Sequence, residues 1–279
     1  RKQSRRGARS CVLPPSTSPA SSTQVARGDP VGDQSNGGPP SLQLCTLPQE
    51  EIPLRLRPDF YFDFELHPFA HAELFRSARH VVQVVDSIHA YVVAWLETAW
   101  RDHSGTLSGY PDFTKIVGEA PAHWHVDDES PSVFAPDVII GAIESADCAR
   151  LNVQQGAQVL GGTFDFRKGG VWVGPGAVVE PGAYVAGPAV LGPGSVLRSG
   201  AYVRGDVVLG ERAVLRGELK NAVVMDRAEL CHPGYVGDSL IGYRGHFGCQ
   251  ALTANLGLFG AELSVRLPTE DHGADAGAK

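Results

Sequence analysis

Aliphatic side chains recur at every sixth position in the second half of the chain. The positions are Val173, Val179, Val185, Leu191, Leu197, Val203, Leu209 and Leu215, without a gap. An α-helix repeats after about 3.6 residues and a β-strand after about two, so neither element alone predicts this period. A coil of very short strands and tight turns does predict it, because stacked coils line the aliphatic side chains into one continuous core.

Small residues and turn formers complete the repeat. A small residue lies four positions after the aliphatic residue at Ala177, Ala183, Ala189, Ser195, Ala201 and Ala213, whereas Val207 and Leu219 are exceptions. Glycine and proline fill the positions where the chain must bend, as in Gly174-Pro175-Gly176. The pattern predicts an all-β fold, a parallel β-helix over residues 136–260, with a looser repeat that begins near Val138.

One amphipathic α-helix is predicted before the repeat. Its apolar positions alternate in spacings of four and three: Leu74, Ala78, Val81, Val85, Ile88, Val92, Trp95 and Ala99. Pro68 suits the first helical turn and Gly105 suits the stop. The stripe could pair with a partner helix, but we expect it to cover the exposed first coil, whose unpaired edge would otherwise recruit other chains. Residues 51–135 are therefore interpreted as a capping helix and a connector.

The two ends of the chain differ from the part between them. Residues 1–28 contain no Asp or Glu and carry six basic residues among many serines and prolines. This composition is typical of a disordered tail or of the remnant of an organelle transit peptide. Both interpretations remain open for residues 1–50. Residues 261–279, rich in Ala and Gly, are expected to be a truncated or disordered tail.

Charge and cysteine content exclude several classes of function. The net charge of the 279 residues is −7, and no basic stripe follows the repeat, so nucleic acid is not an expected partner. No run of 18 apolar residues predicts a membrane span. The five scattered cysteines favour a reducing compartment, the cytoplasm or an organelle stroma such as that of a plastid, rather than secretion. No metal is expected, because His123 and His125 have no further ligand at suitable spacing.

The repeat loses its period after Leu215 while the chain stays apolar. Met225 and Val236 fall out of step, and Ile241 and Phe247 begin a new register. A break of this kind re-aims side chains, so residues 217–256 are the predicted place for a functional site.

This segment carries a spaced set of polar residues. Lys220 is followed after eleven residues by His232, after two more by Tyr235, and then by Gly237-Asp238. The run resembles the acetyltransferase site in the left-handed β-helix domain of sugar-1-phosphate nucleotidyltransferases, above all the bifunctional bacterial enzyme that makes UDP-N-acetylglucosamine. The resemblance covers about residues 170–260.

The resemblance implies a left-handed β-helix that forms a homotrimer, with a sugar-phosphate site at the subunit boundary. It implies acetyl transfer from acetyl-coenzyme A, as co-substrate, to the amine of a hexosamine 1-phosphate. His232 would then act as general base, since an imidazole is a competent base at neutral pH. Lys220 would neutralise the phosphate and Tyr235 would donate a hydrogen bond to it. Asn255 aligns with a family asparagine that orients the acceptor.

Departures from the family pattern leave an alternative open. His246 stands where the family has asparagine, Gly248-Cys-Gln-Ala251 replaces Gly-Ala-Gly-Thr, and no lysine follows soon after Asn255. Residues 1–135 offer no glycine-rich loop of the nucleotidyltransferase domain. Cys231 beside His232 is not expected to form a nucleophilic pair, because neighbouring strand residues point to opposite faces. The alternative is a non-catalytic β-solenoid that oligomerises or regulates a sugar-phosphate nucleotidyltransferase.

Overall fold

The computed structural model describes residue 44, residues 47–102 and residues 150–253, together with four strands between residues 115 and 141. Short 3-10 helices occur at Gln49–Glu51, Leu54–Leu56 and Pro58–Phe60. They are followed by α1 at Ala72–Arg76 and α2 at Val81–Asp102. The predicted single helix is therefore interrupted at residues 77–80.

The interruption has a local cause in the residues that precede α2. The Nδ1 atom of His80 accepts a hydrogen bond of 3.1 Å from the backbone N–H of Gln83, and the side-chain oxygen of Gln83 accepts one of 2.9 Å from the N–H of Arg79. These two bonds satisfy amide groups that a helix start leaves without partners. A new helix therefore begins at Val81 instead of continuing from α1.

The rest of the described chain consists of short strands. In chain order they are β1 Lys115–Ile116, β2 His123–Val126, β3 Val133–Phe134, β4 Ile139–Gly141, β5 Arg150–Val153, β6 Gln158–Val159, β7 Thr163–Asp165, β8 Val171–Val173, β9 Val178–Val179, β10 Tyr184–Ala186, β11 Ala189–Leu191, β12 Val196–Leu197, β13 Tyr202–Val203, β14 Val207–Leu209, β15 Val214–Leu215, β16 Glu218–Val224, β17 Glu229–Leu230 and β18 Tyr235–Ile241.

Each strand pairs in parallel with the strand one coil later, which gives a left-handed parallel β-helix with three faces, as the sequence predicts. Face 1 contains β1, β4, β7, β10, β13 and the first halves of β16 and β18. Face 2 contains β2, β5, β8, β11, β14 and the second halves of β16 and β18. Face 3 contains β3, β6, β9, β12, β15 and β17. The pairing of β1–β3 with β4–β6 shows that the solenoid begins before residue 136. The part of the chain predicted as capping helix and connector, residues 51–135, therefore also carries strands of the solenoid, and these strands lack the six-residue period.

The interior of the solenoid consists of the residues that define the six-residue period. All eight are buried, with at most 1% of their surface exposed. The small residues that lie four positions after them are buried as well, including Ser195 at 1%. Burial of each Val or Leu side chain stabilises the fold by roughly 1.5–3 kcal/mol. The prediction of a continuous core is thus confirmed.

Helix α2 lies along face 2, and this corrects the expectation that it covers the first coil. Outward-pointing side chains of successive coils form an apolar column beneath it: Trp172, Val190, Val208 and Val223. The column faces Val84, Ile88, Val92 and Leu96 of α2, all of which are buried. The rings of Trp95 and Trp172 meet edge to face with centroids 5.4 Å apart. The contacts of α2 in the described part of the chain are therefore with the outer side of face 2.

Candidate functional site

In the last coils, polar residues occupy the corner between faces 1 and 2. Its backbone is left-handed at Asp206, Asn221 and Asp238, with φ of 57°, 46° and 47°. Asn and Asp are the non-glycine residues that tolerate this conformation best. The side-chain amide of Asn221 donates a hydrogen bond of 2.8 Å to Oδ1 of Asp238 in the next coil. The corner therefore presents a fixed column of polar side chains.

Lys220 lies on face 1 directly before this corner. It is in register with Gly237, and its Nζ atom is 3.7 Å from Oδ2 of Asp238. The lysine side chain is 43% exposed and the aspartate side chain is 21% exposed. Lys220 is therefore accessible to a ligand and already has a carboxylate partner.

Tyr235 leans along its strand toward the same corner. A Cβ atom added at Gly237 would collide with the phenolic oxygen of Tyr235, so the phenol lies directly over that glycine. Because Gly237 is the register partner of Lys220, the phenol lies beside the lysine. The structure thus brings together Lys220, Tyr235, Gly237 and Asp238 of the predicted site.

Arg204 is a second cation on this surface. Pairing of Val203 with Leu219 places Arg204 next to Lys220 in the preceding coil. Its guanidinium donates a hydrogen bond of 2.6 Å to Glu218, and this contact raises the pKa of Arg204 above its usual value. This coil has 16 residues, whereas an earlier coil has 18, so only the register of β13 and β16 shows that Arg204 lies beside Lys220.

His232 lies at a different corner, between faces 3 and 1. Its side chain is exposed, and within residues 150–253 no hydrogen bond or ion pair orients it. His232 precedes Tyr235 by three positions, and three extended residues span at most about 11 Å. Within residues 150–253, no hydrogen bond or ion pair joins His232 to Lys220 or Tyr235. Asn255 lies outside the described residues.

Thr253 extends the site into the next coil, and sequence reasoning missed it. Its backbone N–H donates a hydrogen bond of 2.9 Å to the carbonyl of Tyr235, and its hydroxyl accepts one of 2.9 Å from the N–H of Gly237. The threonine therefore fixes the strand that carries the tyrosine. The only signal for Thr253 in the sequence is its distance from Tyr235, which corresponds to one coil.

A cleft adjoins the site on the side of α2. It has a volume of about 540 Å³ and is lined by the N-terminal segment, the first turns of α2 and the last strand, with Leu56, Val81, Val85, Asp238 and Leu240 among its walls. Its walls are mainly apolar, and Asp238 is shared with the candidate site. The site thus has a polar surface on face 1 and an apolar recess behind the corner.

No helix of the described residues is long and apolar enough to cross a membrane. Among the same residues, no group of three or more His, Cys, Asp or Glu side chains could hold a metal ion. Cys231 and Cys249 are free thiols in the described part of the chain.

Comparison with known proteins identifies the repeat. Residues 170–205 match the family described as bacterial transferase hexapeptide (six repeats). Over these residues the chain resembles the hexapeptide-repeat β-helix of bacterial transferases. More particularly, the chain is similar to the bifunctional protein GlmU of Methanococcus maripaludis (strain C7 / ATCC BAA-1331), with 44% identity over 39 residues. The match covers 14% of this chain and 10% of the relative, and no solved structure matches significantly. The solenoid fits the β-helix domain of GlmU-like proteins.

Proposed function

We propose that the chain is an acyltransferase of nucleotide-sugar metabolism that transfers the acetyl group of acetyl-coenzyme A to the amine of a hexosamine 1-phosphate. The observation that carries the proposal is the common position of Arg204, Lys220 and Tyr235 on face 1. Two cations and a phenol on one exposed surface are suited to a phosphate monoester. The match to GlmU over the repeat supports the same class of substrate.

In the proposed reaction, the amine nitrogen attacks the thioester carbonyl, an amide bond forms, and the carbon–sulfur bond breaks. His232 takes the proton that the amine loses, and coenzyme A leaves as its thiol. A backbone N–H must stabilise the oxygen of the tetrahedral intermediate. Lys220 and Tyr235 hold the phosphate and thereby fix the distance between the amine and the base. Asn255 orients the acceptor in this proposal.

A homotrimer would complete the site at a subunit boundary. Helix α2 covers face 2, whereas faces 1 and 3 remain uncovered in the described chain. Tyr202 on face 1 is 43% exposed, and Val178, Val196 and Val214 form a half-buried apolar column on face 3. Surfaces of this kind favour self-association. The proposed location is a reducing compartment, the cytoplasm or an organelle stroma.

One observation favours the second candidate, a non-catalytic β-solenoid that oligomerises or regulates a sugar-phosphate nucleotidyltransferase. A general base is normally oriented by another side chain, and the exposed His232 has no such partner in the described residues. In this case the protein would bind a sugar phosphate or a partner enzyme without acetylating anything.

The test is acetylation of glucosamine 1-phosphate, followed by mass spectrometry of the product. His232→Ala is expected to lower kcat at least about a hundredfold, which is the usual contribution of a general base. His246→Ala is the matched control, because His246 is another exposed corner histidine, 3.3 Å from Glu229. Full activity of the His232 variant would exclude its role as a base, and an inactive wild type would favour the second candidate.

A further inference from the structure

We propose that Cys231 and Cys249 are a redox modification site, at which a small disulfide such as oxidised glutathione converts the two thiols into a reversible disulfide bond. The bond would join the last two described coils at the corner between faces 3 and 1. Both thiols are free in the structure, with Cys249 exposed and Cys231 half-buried. The proposal concerns a modification of the chain and goes beyond the proposed function.

The register of the last coils places the two thiols next to each other. Two parallel bridges enclose the corner: Glu229 with His246, and Tyr235 with Leu252. Both coils have six positions between their bridged residues, so Gly248 is in register with Cys231, and Cys249 follows it. Coils are about 4.8 Å apart and consecutive Cα atoms about 3.8 Å apart, which puts the two cysteine Cα atoms about 6 Å from each other. Disulfides usually span Cα distances of about 4.4–6.8 Å.

The space around the second thiol allows the bond to form. Gly248 has no side chain, and a Cβ atom added to it would meet no atom of the described residues within 4 Å. The last described coil pairs with the preceding coil through the two isolated bridges, whereas earlier coils pair through strands. The turn that carries Cys249 can therefore adjust by a small shift more easily than a turn inside the solenoid.

The chemistry is a thiol–disulfide exchange in two steps. The thiolate of Cys249, the more exposed of the two residues, attacks one sulfur atom of glutathione disulfide. The sulfur–sulfur bond of the oxidant breaks, and one glutathione leaves and takes up a proton. The thiolate of Cys231 then attacks the sulfur of Cys249 in the mixed disulfide, and the second glutathione leaves in the same way. The chain loses two protons and two electrons, and glutathione disulfide is reduced to two molecules of glutathione.

The bond would fix the coil that carries Thr253. The backbone N–H of this threonine donates a hydrogen bond of 2.9 Å to the carbonyl of Tyr235, and its hydroxyl accepts one of 2.9 Å from the N–H of Gly237. A covalent link between the two coils restricts the opening of the last one. Oxidation thus stabilises the support of the strand that carries Tyr235, and a return to reducing conditions removes this effect.

The experiment oxidises the full chain in a glutathione redox buffer, blocks the remaining thiols, and identifies disulfides by trypsin digestion and mass spectrometry. Cleavage after Arg227, Arg244 and Arg266 releases residues 228–244 and 245–266 as separate peptides with one cysteine each. We expect these peptides to be joined, with a mass two hydrogen atoms below their sum, and to separate on treatment with dithiothreitol. A non-reducing denaturing gel should show a single chain.

Three outcomes of this digestion would overturn the proposal. They are glutathione attached to both cysteines, a link from either cysteine to Cys11, Cys45 or Cys148, and a link between two chains. In each case the two thiols would not be close enough to react with each other.

Hydrogen exchange measures the effect of the bond on the last coil. The amides of Phe247, Gln250 and Thr253 donate hydrogen bonds to the preceding coil, and they should exchange at least about tenfold more slowly in the oxidised chain than in the reduced chain. Cys249→Ser, at an exposed position, should remove both the link and the slower exchange, whereas Cys148→Ser is the matched control and should keep both. Equal exchange in the oxidised and reduced chains would refute the stabilising role of the bond.

Discussion

The Nδ1 atom of His71 lies 3.0 Å from the phenolic oxygen of Tyr91, and this contact joins α1 to α2. His71 is only 4% exposed, and its ring also packs against Trp95 with centroids 5.2 Å apart. Burial lowers the pKa of His71 to about 4, while burial and then the charge of Glu73 raise the pKa of Tyr91 to about 12. Both groups are therefore neutral in the folded chain near pH 7.

We expect acid to destabilise the junction of the two helices through His71. The imidazole of the unfolded chain titrates near pH 6.5, so the stabilising effect is complete above that pH and is lost as the pH falls toward 4. The loss is at most about 3 kcal/mol of unfolding free energy for this group. Urea unfolding at several pH values should show a shallower pH dependence for His71→Gln. His67→Gln, whose ring stacks on Tyr243 at 4.2 Å, should keep the wild-type slope.

Gly237→Ala should displace the phenol of Tyr235, because the new Cβ would occupy the space of the phenolic oxygen. If Tyr235 holds the phosphate, the KM for glucosamine 1-phosphate should rise about tenfold or more. Gly248→Ala is the control, since no atom lies within 4 Å of its added Cβ, and its KM should stay within about twofold. An unchanged KM in the Gly237 variant would remove Tyr235 from the site.

Val208→Ala should lower the free energy of unfolding by about 2 kcal/mol, because this side chain is fully buried between face 2 and α2. Val214→Ala removes the same atoms from the half-buried column on face 3 and should cost less than about 1 kcal/mol. Denaturant unfolding measures both values. Equal losses would show that α2 does not protect face 2 in solution.

Tyr184→Phe should destabilise the turn that follows β7. The hydroxyl of Tyr184 donates a hydrogen bond of 2.6 Å to Asp165, which also pairs with Arg167. Burial alone would raise the pKa of Asp165, but these hydrogen bonds outweigh it and lower the pKa. Loss of the hydroxyl should cost about 1 kcal/mol at pH 7. Tyr202→Phe, at the same position one coil later and 43% exposed, should change stability by less than about 0.5 kcal/mol.

The fold could be predicted because inward side chains must repeat wherever coils stack. Val173, Leu191 and Leu209 reach the same core position in successive coils, so their period is visible without a structure. The outward column was harder to see, since Trp172, Val190 and Val208 recur only once per coil. For this reason the sequence predicts the amphipathic helix correctly but gives it the wrong partner.

The stacking of coils also explains why only part of the site could be predicted from the sequence. Strands β16 and β18 pair in register on both sides of the corner between faces 1 and 2. This pairing brings Lys220 close to Tyr235 and Asp238. Arg204 lies 16 residues before Lys220, whereas earlier coils repeat after 18 residues, so a fixed period points to the wrong residue. The exposed position of His232 depends on the corner that precedes Tyr235, and a residue spacing does not contain this information.

Helix α2 also restricts how the molecule could gain or lose coils. Coils are stacked about 4.8 Å apart and a helix rises about 1.5 Å per residue, so one coil corresponds to about three helical residues. The contacts of α2 run from Trp172 in one coil to Leu240 in the last described strand. An added coil between Leu191 and Leu209 would shift Val208 and Val223 away from their helical partners unless α2 grew by about one turn. The length of α2 and the number of solenoid coils beneath it must therefore change together.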